Sequence, residues 1–98
     1  MAKIAFSERA FQDFERIFDF HAEIDPVLAA AQVSAIQQGI AILAGHPLIG
    51  RTVDQRLREL VISKGKTGFV ALYRFIPQRD VVWVLRIRHQ RELGYPQA

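Results

Sequence analysis

RELVISKGKTGFVALYRF, residues 58–75, decides the fold. Apolar positions lie on both sides of a basic, glycine-bearing turn. They read as a strand at 57–63, a turn at 64–68 and a strand at 69–76. Residues 77–80 form a second turn, and VVWVLRIR (81–88) a third strand rich in β-branched and aromatic residues. Strict alternation puts Trp83, Leu85 and Ile87 on one side of that strand and Val82, Val84, Arg86 and Arg88 on the other.

Upstream of Gly50 the period changes to that of a helix. AKIAF (2–6) is a short first strand, and Ser7 is a natural helix N-cap with Glu8 at the positive end of the dipole. Phe11, Phe14, Phe18 and His21 recur at three- and four-residue steps with Ile17 beside them, an aromatic stripe expected to be core. Asp25-Pro26 starts a second helix, in which Val33, Ile36, Ile40 and Leu43 recur at helical spacing until Gly45. Gly39 inside it either weakens the helix or marks a close contact. The expectation is an α+β fold in a single domain, residues 1–98. It has an N-terminal strand, an antiparallel two-helix hairpin and a three-stranded antiparallel meander with the helices on one face.

Composition narrows the function classes. Half of the 98 residues are apolar and 23% are charged, which suits a packed domain rather than a disordered chain. No continuous apolar run approaches the roughly 18 residues of a membrane span, and the N-terminus lacks a signal-peptide core, so a cytoplasmic protein is expected. The absence of cysteine excludes disulfides and thiolate chemistry. No phosphate-binding glycine loop is present, and His21, His46 and His89 lack metal-ligand spacing, so neither nucleotide cofactor nor metal is expected. Charge is divided unevenly. Residues 1–50 carry three bases against six acids (−3) and residues 51–98 ten bases against four acids (+6). The basic half is expected to meet an acidic partner, either nucleic acid or polypeptide.

The groups able to do so are Lys64 and Lys66 at the turn, with Arg74, Arg86, Arg88 and Arg91. Arginines clamp phosphates or carboxylates bidentately, His89 is a proton carrier near neutral pH, and Tyr95 can stack or donate. Such a set suits metal-free RNA cleavage. The alternative is that Arg74 and Arg86 pair with Glu59 or Asp80 across strands.

HPLIGR (46–51), RELVI (58–62), GFVALYRF (68–75) and VWVLRIRHQRELGY (82–95) together resemble the RelE/ParE superfamily of toxins from type II toxin–antitoxin systems, found in plasmid-stabilisation and stress modules. The resemblance spans nearly the whole chain. It implies a growth-inhibiting protein neutralised by a small, acidic, partly disordered, DNA-binding antitoxin. The expected assembly is a hetero-oligomer without cofactor. The family's ribosome-dependent RNases cut mRNA with strand bases plus a C-terminal Arg or His and a Tyr. His89 and Tyr95 match that pair and are the catalytic candidates if the chain is an RNase. Val61, Ser63 and Val70 stand where those enzymes carry lysine or arginine. The resemblance therefore leans to the ParE branch, described as inhibiting DNA gyrase by binding. In that reading Lys64, Lys66, Arg74, Arg86, Arg88 and Arg91 contact antitoxin or target.

Overall fold

Ser7 ends the first strand and begins the first helix. Its backbone is extended (φ −73°, ψ 163°), and its hydroxyl accepts a hydrogen bond from the Ala10 amide at 3.0 Å. That contact satisfies one of the amides that a helix start leaves free. The computed structural model describes residues 1–62, 68–92 and 94–96; Lys64 and Lys66 lie outside them. Strand β1 spans Lys3–Phe6 and helix α1 spans Glu8–Ala22. Asp25 accepts from the Val27 and Leu28 amides to cap α2 (Pro26–Ala41), which a 3-10 turn (Ile42–Ala44) extends. Four more strands follow: β2 (Arg51–Thr52), β3 (Arg58–Ile62), β4 (Phe69–Ile76) and β5 (Val81–His89).

Strands β3, β4 and β5 form the expected antiparallel meander, and two further strands enlarge it. The sheet order is β1-β5-β4-β3-β2, with β1 parallel to β5 and the two-residue β2 antiparallel to β3. The helices cover one face. Phe14 and Ile17 of α1 and Ile36 and Ile40 of α2 meet Ile62, Phe69, Tyr73, Val82, Val84 and Ile87 of the sheet in one apolar core. Gly39 marks a close approach: a Cβ there would lie 2.5 Å from Cγ2 of Ile62 on β3. Gly50 does the same for the loop before β2. Its amide donates to the buried Tyr73 hydroxyl at 2.9 Å, and a Cβ would lie 2.7 Å from that oxygen.

Three expectations need correction. The aromatic stripe of α1 is mostly not core: of its phenylalanines only Phe14 is buried, whereas Phe11 and Phe18 are exposed. The buried face instead runs through Ala10, Asp13, Phe14 and Ile17, one step round the helix. The segment Pro26–Ala44 is, by length and composition, long and apolar enough to cross a membrane, with mean hydropathy 1.6. Gln32, Ser34, Gln37 and Gln38 interrupt its apolar runs, but no charged residue lies among them. Here it packs one side against α1 and β3.

The third correction concerns β5. Leu72 of β4 pairs with Arg86 and Tyr73 with Val84, leaving Leu85 as the extra residue of a β-bulge. The bulge shifts the side-chain phase, so Val82 and Val84 before it and Ile87 after it all face the core. Ser7 braces this irregularity by donating from its amide to the Val84 carbonyl (2.9 Å) and from its hydroxyl to that of Leu85 (2.7 Å).

Beyond Val84 the strand β1 has ended, and polar side chains take its place along β5. Asp13 accepts from the Ile87 amide at 2.8 Å, Arg16 donates to the Ile87 carbonyl at 3.1 Å, and Glu92 accepts from the His89 amide at 2.8 Å. An exposed strand edge is thereby closed to further pairing. Asp13 is 3% exposed and also accepts two hydrogen bonds from Arg86, at 2.8 and 3.1 Å. Replacing Asp13 with Asn leaves Arg86 without its counter-charge in a half-buried site. We expect Asp13→Asn to lower unfolding free energy by about 3 kcal/mol in urea titration. Adding Arg86→Leu is expected to cost less than it does alone, because the pair is already broken.

Candidate functional site

The face of the sheet away from the helices carries the chain's charged chemistry. Across it, Arg51, Glu59, Leu72 and Arg86 lie in register on β2, β3, β4 and β5. Arg88 stands one step further along, paired with Val70, which pairs in turn with Val61. Tyr95 folds back over this row. Its ring centroid lies 5.6 Å from the Arg86 guanidinium carbon and 5.3 Å from that of Arg88, within cation–π range. Its hydroxyl donates to Glu59 Oε2 at 2.7 Å.

Glu59 is the centre of the cluster and was foreseen only as a cross-strand partner. It is 6% exposed and accepts from Arg51 at 2.5 and 3.1 Å, with Arg88 4.0 Å away. Its role was hidden because Tyr95 is distant in sequence (36 positions). Burial alone would raise the Glu59 pKa. Hydrogen bonds from Tyr95 and Arg51, then the charges of Arg51 and Arg88, outweigh it and hold the carboxyl below its usual value. The same contact acts oppositely on Tyr95. Burial first, then the hydrogen bond to Glu59 and its negative charge, push the phenol far above its ordinary range. Tyr95 is thus held neutral as a donor and is a poor base near pH 7.

The two sequence-selected basic residues of β5 serve this architecture. Arg86 binds Asp13 and the Pro96 carbonyl, and the hydrogen bond to Asp13 pushes its pKa up further. Arg88 Nη1 donates to the carbonyls of His89, Gln90 and Glu92, while its buried Nε has no partner among the described residues. Among the described residues neither Arg74 nor Arg86 pairs with Glu59 or Asp80. Arg74 is exposed and its side chain has no hydrogen bond or ion pair among the described residues.

His89 lies on the other side of the sheet. Its ring packs on Phe69 at 5.3 Å, and with Ile17, Phe20, His21 and Ile24 it lines an apolar cavity of ≈ 590 Å³ under the end of α1. Its Nδ1 accepts from the Arg91 amide at 3.1 Å. The structure therefore brings Tyr95, Arg86 and Arg88 together and leaves His89 and Arg91 apart from them. Among the described residues no cluster of His, Cys, Asp and Glu could hold a metal ion.

The depressed Glu59 pKa gives a stabilising contribution that is fully present above the unfolded-state value of about 4.3 and is lost as pH falls through the lower folded value. The raised Tyr95 pKa contributes stability below about pH 10 that is lost as pH rises beyond it. We expect Tyr95→Phe to cost about 1–2 kcal/mol near neutral pH. In denaturant titrations the gap from wild type should shrink as pH falls through the lowered folded-state pKa of Glu59.

Comparison with known proteins agrees with the fold. Residues 4–94 match the family described as the ParE toxin of the type II toxin–antitoxin system parDE. The chain is 33% identical over 92 residues to toxin RelE3 of Caulobacter vibrioides, covering 94% of this chain and 98% of that protein. It is 34% identical over 86 residues to toxin RelE1 of the same organism, covering 88% and 90%. The chromosomal ParDE system from P. aeruginosa superposes with a TM-score of 0.73 at 20% identity, over 91% of this chain and 96% of that one. The intact E. coli RelBE toxin–antitoxin complex gives 0.65 at 13% identity, over 94% and 100%. At those identities the structural likeness is one of fold. The family match across nearly the whole chain, with relatives a third identical at almost full length, makes this chain a member of the ParE toxin family of type II toxin–antitoxin systems.

Proposed function

We propose that this toxin arrests growth in the cytoplasm by binding DNA gyrase or a related topoisomerase, and that a cognate antitoxin neutralises it. The observation that carries this reading is the make-up of the open face. At its centre stand Val61, Val70 and Leu72, and the flanking Arg86 and Arg88 are held by Asp13, by backbone carbonyls and by Tyr95. Metal-free phosphate cleavage needs cations aimed at the developing charge, together with an acid–base pair. Here Arg86 and Arg88 are engaged within the fold, the phenol is locked as a donor to Glu59, and His89 is on the other side. A protein that acts by binding needs none of these groups free.

A protein partner is supported by the helix hairpin. Phe18, Phe20, Ile24, Val27 and Leu28 all expose apolar surface near the α1–α2 turn, more than a lone surface residue explains. The solved relatives include toxin–antitoxin complexes, which favours an antitoxin as the resident partner.

The second reading, a ribosome-dependent mRNA endoribonuclease, is favoured by one observation: the curated relatives carry RelE names. The two are separated by parallel assays. Expression without antitoxin is expected to stop growth, and the purified protein to inhibit gyrase supercoiling. His89→Ala is expected to leave both effects intact. Normal supercoiling together with mRNA cut within codons, abolished by His89→Ala, would establish the nuclease instead.

A further inference from the structure

The arginines of the basic half fall into two groups. Arg51, Arg58, Arg86 and Arg88 are hydrogen-bonded within the fold. The side chains of Arg56, Arg74, Arg79 and Arg91 have no such partner among the described residues. Two of the free ones, Arg56 and Arg74, line the same cleft on the open face, of ≈ 760 Å³, with Leu57, Ile76, Trp83 and Leu85. The cleft lies over the first half of β5, away from the Tyr95 cluster. Leu85 faces the same open side as Trp83, as alternation places it, and the bulge changes only the phase of the residues that follow.

Trp83 is 40% exposed, and its indole makes no ring or cation–π contact among the described residues. Arg74 is its direct cross-strand neighbour, which puts the two Cβ atoms about 5 Å apart. A bare aromatic face beside an unpaired cation is the arrangement that holds a base and its phosphate. An acidic peptide would satisfy the arginines as well, but it gains affinity on a sheet by adding to a free strand edge. No such edge opens into this cleft, because β4 lies between β3 and β5, and β5 beside Trp83 is paired with β1 and β4. The acidic group lining the cleft, Asp54, is committed to its own turn. Its Oδ1 accepts from the Arg56 and Leu57 amides at 2.8 and 3.0 Å.

We propose that this cleft binds an unpaired nucleotide of a single-stranded nucleic acid, with the base stacked on Trp83 and the phosphate held by Arg74 and Arg56. It binds without cutting, because the cleft has no acid–base pair. The site stands whether gyrase or mRNA is the toxin's target, so its test is separate from theirs.

Trp83 is the chain's single tryptophan, so its fluorescence reports on the cleft alone. Titration with a short oligothymidylate is expected to quench that emission saturably, with the oligonucleotide recovered intact. Arg74→Ala and Arg56→Ala are each expected to weaken binding by about tenfold. Anisotropy of a labelled oligonucleotide should show a similar loss for Trp83→Leu. All three positions are exposed, and unchanged thermal unfolding would verify that each variant is folded. Equal quenching by a poly-glutamate peptide would make the cleft an acidic-peptide surface and overturn the proposal. Absence of quenching, cleavage of the bound strand, or unchanged affinity in both arginine variants would also overturn it.

Discussion

The carboxylate of Asp13 is the contact on which the arrangement of helix and sheet depends. Burying an unpaired carboxylate costs several kcal/mol, so α1 can press against β5 only where donors converge on that group. Three come from β5, two from Arg86 and one from the Ile87 amide, and Arg16 adds a weaker one at 3.4 Å. Together they fix the height and rotation of α1 along the strand. They also explain why β1 can stop at Phe6. A longer first strand would cover the same amide, and the helix would lose its anchor.

This use of charge changes how a basic sequence is read. The excess of arginine after residue 51 looks like a surface for anions, yet much of it is internal scaffolding. Arg58 ties down the loop before β2 through the Leu48 and Gly50 carbonyls, and Arg88 gathers three carbonyls at the end of β5. Such bonds hold irregular backbone without the regular ladder of a sheet. Net charge counts both kinds of arginine alike. Geometry separates them: of the unpaired set, Arg56 and Arg74 lie towards the β4–β5 turn, and Arg91 lies beyond the opposite end of β5.

The element order was legible because it rests on local chemistry. Ser7 and Asp25 are caps, Pro26 suits a first helical turn, and Ile36, Ile40 and Leu43 are buried as their spacing predicts. The β-hairpin register follows from alternation on both strands. What escaped depends on distant pairing. The bulge at Leu85 reverses the phase of β5 and exists because Ser7 braces it across 78 positions. The helical stripe of phenylalanines was misplaced for a similar reason: the polar Asp13 occupies the inward face that periodicity reserves for apolar side chains. At the site, the sequence singles out Tyr95 as a group able to stack or donate, and the structure sets its hydroxyl on Glu59 and its ring against Arg86 and Arg88. Its partner Glu59 and its separation from His89 could not be read without the sheet.

The parallel pairing of β1 with β5 has a consequence for the order of events in the cell. The first strand to be synthesised waits for the last of the five, and β5 is also the one that α1 needs for Asp13. Until residues 81–89 have emerged, the helix hairpin has little to pack against but itself and the early strands, with Phe14, Ile17 and Ile40 uncovered. Long-range closure of this kind is slow compared with helix formation. Native packing can therefore be completed only once β5 is in place. A partner translated at the same time gains an interval in which to be ready, and the nascent helix pair is the surface it would meet first.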